Sequence, residues 1–157
     1  MRKKLTTALL SLLFICTFCA CNKTSDDALA QYKADVENFY AEALSSNERI
    51  NNIDAESETA AEDLLHELDY VKTNFQNFAD LEVPKEYPNV ESLADSAAQL
   101  MSDAVEMYHS SYQDGTFNDF TAGMAYEKYC RAIETINCIG DILQGKTTSN
   151  SNATTEE

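Results

Sequence analysis

Tryptophan is absent from this 157-residue chain, proline occurs twice and glycine four times. So few breakers exclude a sandwich or barrel, which needs a turn signal every ~8–12 residues. Basic residues are scarce as well. All 27 acidic residues follow Cys21 but only 8 of the 11 basic ones do, so the chain from Cys21 onward carries −19. A surface that acidic is repelled by phosphates, which argues against nucleic acid as a partner. It is repelled by anionic lipid too, so a domain tethered to a membrane would stand off it. The plainest role of the charge is to keep the protein in solution, and recruitment of a cationic partner is the alternative. Cysteine gives no framework: Cys130 and Cys138 are eight residues apart, ~12 Å along a helix, against the ~7 Å between Cα atoms that a disulfide spans. The chain also lacks Cys-x-x-Cys-His, which excludes covalently attached c-type haem.

A long hydrophobic run is missing too. Leu5 to Phe18 is uncharged, but it is short and interrupted by Thr, Ser and Cys, whereas a bilayer span needs ~20 apolar residues. Arg2, Lys3 and Lys4 precede it and Cys19-Ala20-Cys21 closes it, a basic start, apolar core and small residue before a cut. This is the pattern of a secretory signal. The Cys directly after Ala20 resembles the lipobox of bacterial lipoproteins, with Phe18 where that family usually has Leu. The resemblance implies cleavage before Cys21, acylation of its thiol, and a lipid-anchored location on the outer face of the bacterial cytoplasmic membrane. Residues 1–20 are then the signal peptide and 21–27 the acylated Cys and tether.

Beyond the tether, apolar or small residues recur with alternating spacings of 3 and 4. The first seam is Leu29, Tyr32, Val36, Phe39, Ala43, Ser46, Ile50 and Ile53, entered through a cap at Ser25 or Asp26. Asn51, Asn52 and Asp54 mark the first break, and Ser45-Ser46-Asn47 competes with it. A second helix starts near Ala55 or Ser57, carries Ala61, Leu64, Leu68, Val71, Phe75 and Phe78, and stops before Pro84. Asn89 is positioned to cap a third, with Val90, Leu93, Ala97, Leu100, Ala104 and Met107 inward and Met101 and Tyr108 widening the stripe. Asp114-Gly115 ends it. Thr116 with Asp119 fits a cap for the fourth, in which Phe117 and Phe120 form the first turn. Its seam is Ala122, Ala125, Tyr129, Ala132, Ile136, Ile139 and Leu143, with Glu127, Arg131 and Glu134 spaced for ion pairs outside and Gly145 at its end. Four such seams with short connectors predict an all-α fold, an up-down-up-down four-helix bundle over 28–145. Residues 146–157 hold nothing to bury and are expected to be a disordered polar tail.

Several runs carry a further resemblance: Leu81 to Tyr87, Glu91 to Ala94, Tyr108 through Tyr112, and Ile142 to Gly145. Over roughly Ile50 to Gly145 the chain resembles small helical lipoproteins of Clostridia-type Gram-positive bacteria. The resemblance implies a cell-surface lipoprotein without established activity and supplies no catalytic residue.

The residues themselves offer few sites. Glu106 with His109 matches the Glu-x-x-His of di-iron bundles, and Asp63 with His66 is a variant of it. At about 100° per residue both pairs fall away from their seams, so no metal site and no cofactor are expected. No local pattern places a base beside a nucleophile. Tyr108, Tyr112, Phe117 and Phe120 cluster around the third connector, either closing that end of the bundle or forming a partner-docking patch. Cys138 and Ile142 form a smaller one. The expected function is non-enzymatic: an envelope-associated interaction module held to the membrane by the lipid on Cys21, with an unknown protein partner. The alternatives are a carrier of a small or cationic ligand between the helices, and a carboxylate/His metal-binding enzyme.

Overall fold

Regular apolar spacing and scarce breakers produce four helices: α1 (Arg2–Asn51), α2 (Ala60–Ala79), α3 (Val90–Ser111) and α4 (Asp119–Leu143). The computed structural model describes residues 2–113 and 116–146, with side chains from residue 26. No strand occurs among them, and no helix among them is long and apolar enough to cross a membrane. The expected stop at Asp114-Gly115 and the tail beyond Lys146 lie outside the described residues. Helical backbone runs from Arg2 through the segments read as leader and tether, so α1 does not begin at Ser25 or Asp26. Within a continuous helix, those amides find carbonyls one turn upstream.

Consecutive helices pack as antiparallel neighbours, most extensively α3 on α4, then α2 on α3 and α1 on α2. The seams are the core. Tyr32, Val36 and Phe39 of α1 meet Leu68, Val71, Phe75 and Phe78 of α2, and Ala132, Ile136 and Ile139 of α4. The Phe39 ring stacks on Phe78 at 4.4 Å and meets the edge of Phe75 at 5.3 Å. On α3 the buried stripe is rotated from the expected one. Val90, Ala94, Ala97, Met101, Ala104 and Val105 are buried, while Leu93, Leu100 and Met107 lie at its margin. α3 and α4, the most extensively packed pair, each bury alanines, Ala94, Ala97 and Ala104 on one and Ala125 and Ala132 on the other, and small side chains let two backbones approach closely. The bundle closes between α1 and α4, where the Tyr40 hydroxyl donates to the Ile136 carbonyl at 3.0 Å. Gly140 makes room for that phenol, since a Cβ there would meet it at 2.7 Å.

The connectors correct several details. The competing break at Ser45-Ser46 is helix, because Arg49 uses both hydroxyls: it donates to Ser45 Oγ at 2.8 Å and Ser46 Oγ at 3.0 Å. Its Nε reaches Glu67 at 2.8 Å and its guanidinium covers the Tyr70 ring, pinning α1 to α2. α2 begins at Ala60, later than expected, because Asp54 and Ser57 accept backbone amides of Glu56 and Thr59 and hold a turn. Asn89 occupies the N-cap position of α3 without a side-chain bond. The cap of α4 is Asn118, which accepts from the Thr121 amide at 3.0 Å, so Phe117 precedes the helix. The expected pairs between Glu127, Arg131 and Glu134 do not form among the described residues. Instead, Lys128 crosses to Asp103 of α3 at 2.8 Å. Gly145 ends α4 with φ of 69°; its amide donates to Ile142 and that of Lys146 to Asp141, a Schellman closure.

Candidate functional site

Alternating helix direction gives the bundle two ends. At one, the start of α1 inside the bundle (Ala28 to Asp35) borders the α2–α3 connector. At the other, the α1–α2 turn meets the α3–α4 turn. The second, far end holds the aromatic cluster. Ser111, fully buried, ties the α3–α4 turn: its hydroxyl donates to the Tyr108 carbonyl at 2.7 Å and its own carbonyl accepts the Asn118 amide at 2.8 Å. That turn brings the Phe117 ring to 4.8 Å from Tyr112. Tyr112 separates two open grooves that both reach Ala61. One, of about 560 Å³, is walled by Ile50, Ile53 and Leu64. The other, of about 660 Å³, is lined by Leu65, His66, Asp69, His109 and Phe117.

The four sequence-predicted docking residues therefore divide. Tyr108 packs against the core, and burial pushes its phenol upward. Tyr112 is half-buried between the grooves. Phe117 is 48% exposed and Phe120 77% exposed. Met124, four residues after Phe120 and on the same outer face of α4, is also exposed. Cys138 and Ile142 are half-buried, and Ile142 packs against the core. Cys21 lies outside the described side chains.

No family model, characterised protein or solved structure matches this chain.

Both histidines lie off the seams and face one open groove. His66 is exposed, but His109 is half-buried, with Nε2 at 3.1 Å from Asp69 Oδ2. Asp69 also receives Lys72 at 3.3 Å. Burial acts against the charge on Asp69, but the hydrogen bonds from His109 and Lys72 outweigh it and hold the carboxyl below its ordinary range. Glu62, His66 and Asp69 line the same face of α2; their i, i+4, i+7 spacing was visible in the sequence, whereas the register of α3 against α2 was not. Among the described residues no three His, Cys, Asp or Glu side chains gather as a metal-binding group. Neither histidine has a hydroxyl or thiol hydrogen-bonded to it among those residues. Ser110 is turned to the Glu106 carbonyl instead. A His–Asp pair positions an imidazole, and without a nucleophile on the ring it supplies only half of an acyl-transfer apparatus.

Proposed function

We propose that the chain is a bacterial surface lipoprotein, anchored through Cys21, whose bundle works as a non-enzymatic binding module. The anchor rests on the basic, apolar and Ala20-Cys21 sequence pattern. The binding role rests on one observation above all: the rings of Phe117 and Phe120 stand in solvent at the end of the bundle opposite the entry of α1. Exposing two phenylalanines and Met124 together costs solubility unless something covers them. Helices of 20 to 25 residues hold that tip ~30–38 Å from the other end. A lipid on Cys21 would thus present the tip away from the membrane.

Two experiments test the two parts. Cys21→Ala should release the protein from the membrane fraction, because only a lipid or a span retains such a domain there. Continued fractionation with membranes through a retained N-terminal helix would defeat the anchor. A photo-crosslinking phenylalanine at position 120 should capture a partner on intact cells, while the same group at Lys33 should not. Equal capture from both positions would defeat the tip as the binding surface.

A further inference from the structure

We infer that the far end docks a cationic, amphipathic protein segment, one that sets an apolar side chain beside Tyr112 and lysines or arginines around it. The inference rests on the binding-module reading and names the chemistry of its partner. Its basis is the coincidence of two features. The first is the pair of grooves, apolar on the Ile50–Ile53–Leu64 side and aromatic on the Phe117 side, meeting at Tyr112.

The second is where the basic residues are. No lysine or arginine stands between Arg49 and Lys72, or between Lys85 and Lys128. Those two intervals supply both turns of the far end, all of α3 and the first third of α4. The cations that border the region are engaged, Arg49 with Glu67 at 2.8 Å and Lys72 with Asp69 at 3.3 Å. Asp54, Glu56, Glu58, Glu62, Glu106 and Asp119, by contrast, make no ion pair among the described residues. All are exposed, Glu58 at the rim of one groove and Glu62 at the rim of the other. The opposite end is different, since Lys85 lines its groove together with Glu82 and Glu86.

A uniformly acidic coat would give solubility without clearing cations from the surroundings of an apolar groove. An apolar seat inside a one-signed rim selects a partner with the opposite pattern. The rim speeds encounter and rejects acidic segments, while the seat holds what arrives. Salt should weaken the complex by screening the rim, over ~8 Å at physiological ionic strength, without abolishing it.

The test uses the full chain in phosphatidylcholine nanodiscs, titrated with labelled synthetic peptides. One peptide alternates Lys and Leu, one replaces every Lys with Glu, and one is Lys alone. The Lys/Leu peptide should bind best. Combined Glu56→Gln, Glu58→Gln and Glu62→Gln should weaken it about tenfold. An equal neutralisation at the other end, Asp35→Asn, Glu82→Gln and Glu86→Gln, should not. Tyr112→Ala should cost a similar factor, and Phe117→Ser, at an exposed position, supplies the same test should Tyr112→Ala unfold. Equal losses from both neutralisations, or oligo-Lys binding as well as Lys/Leu, would reduce the effect to bulk charge and overturn the inference. A Phe120 crosslink to an acidic protein, or to a second copy of this chain, would overturn it while leaving the binding module standing. Absence of any position-specific crosslink would instead count against the module itself.

Discussion

Tyr32 and Tyr40 sit two turns apart on the same buried face of α1, and their hydroxyls meet different fates. Tyr40 donates to a carbonyl of α4, whereas the Tyr32 hydroxyl is buried without a partner among the described residues. A buried phenol that donates to nothing has given up water for no return. Tyr32→Phe should therefore leave stability unchanged or raise it by up to ~1 kcal/mol, and Tyr40→Phe should lower it by ~0.5–1.5 kcal/mol. Equilibrium denaturation reads both. Burial, with smaller contributions from Tyr87 and Tyr40, raises Tyr32 to about 12 from 10. A raised folded value means that its contribution to stability is intact below pH 10 and drains away as pH climbs from 10 to about 12. Alkaline unfolding should accordingly be less steep in Tyr32→Phe; an unchanged profile would show that Tyr32 is not buried as described. That Tyr32 faces the core was readable from its place in the seam. Which hydroxyl finds a carbonyl depends on the register of α1 against α4, and no local pattern encodes that.

At the scale of the element, helix existence was legible and helix ends were legible only in part. Gly145 was found because a left-handed closure tolerates few other residues. The start of α4 was misplaced because Thr116 and Asn118 are both competent caps and only the fold chooses. It chooses Asn118, whose amide is already tied to the Ser111 carbonyl. Asn118→Ala should cost ~1 kcal/mol, and Thr116→Ala should fall within ~0.5 kcal/mol of the parent. The reverse order in thermal melts would restore the Thr116 cap. Every buried residue of α2 and α4 lies on its expected seam, with Ala61, Leu64, Ala122, Tyr129 and Leu143 half-buried, so Leu68→Ala and Ile136→Ala should each cost ~2–5 kcal/mol. On α3 Val90, Ala97, Met101 and Ala104 are buried as expected, whereas Leu93, Leu100 and Met107 were placed inside because alanine and leucine both satisfied the spacing. The fold buries Ala94, Ala97 and Ala104 and leaves Leu93 and Leu100 at the edge. The candidate site was less readable for the same reason: its aromatic residues are contiguous in sequence, but its grooves need two turns brought together by topology.

For the whole molecule the decisive quantity is the imbalance of 27 acidic against 11 basic residues. Two opposite effects of salt compete. Screening weakens attractive pairs, of which Arg49–Glu67 and Lys128–Asp103 are the shortest among the described residues, both at 2.8 Å. It also relieves repulsion among the unpaired carboxylates, which outnumber those pairs. The pairs are partly exposed, and exposed pairs contribute only ~0–1 kcal/mol each. Repulsion of a one-signed surface acts against the compact state at every site at once. Repulsion should win, so the melting temperature should rise as sodium chloride is raised from a few millimolar to several hundred. Acid sets a limit on the same benefit. Asp69 and Asp103 are held below the ordinary carboxyl range by their hydrogen-bond partners, Lys128 and Gln99 in the case of Asp103. A lowered folded value means stability that is present above the unfolded value and lost as pH falls through the folded one. Mild acidification should thus first lower the net negative charge and relieve that repulsion. Further acidification should then destabilise the fold as Asp69 and Asp103 are forced to protonate, and Asp103→Asn should blunt that second phase. A melting temperature that falls with added salt at neutral pH would mean that the cross-helix pairs, and not the acidic surface, dominate the electrostatics of this bundle.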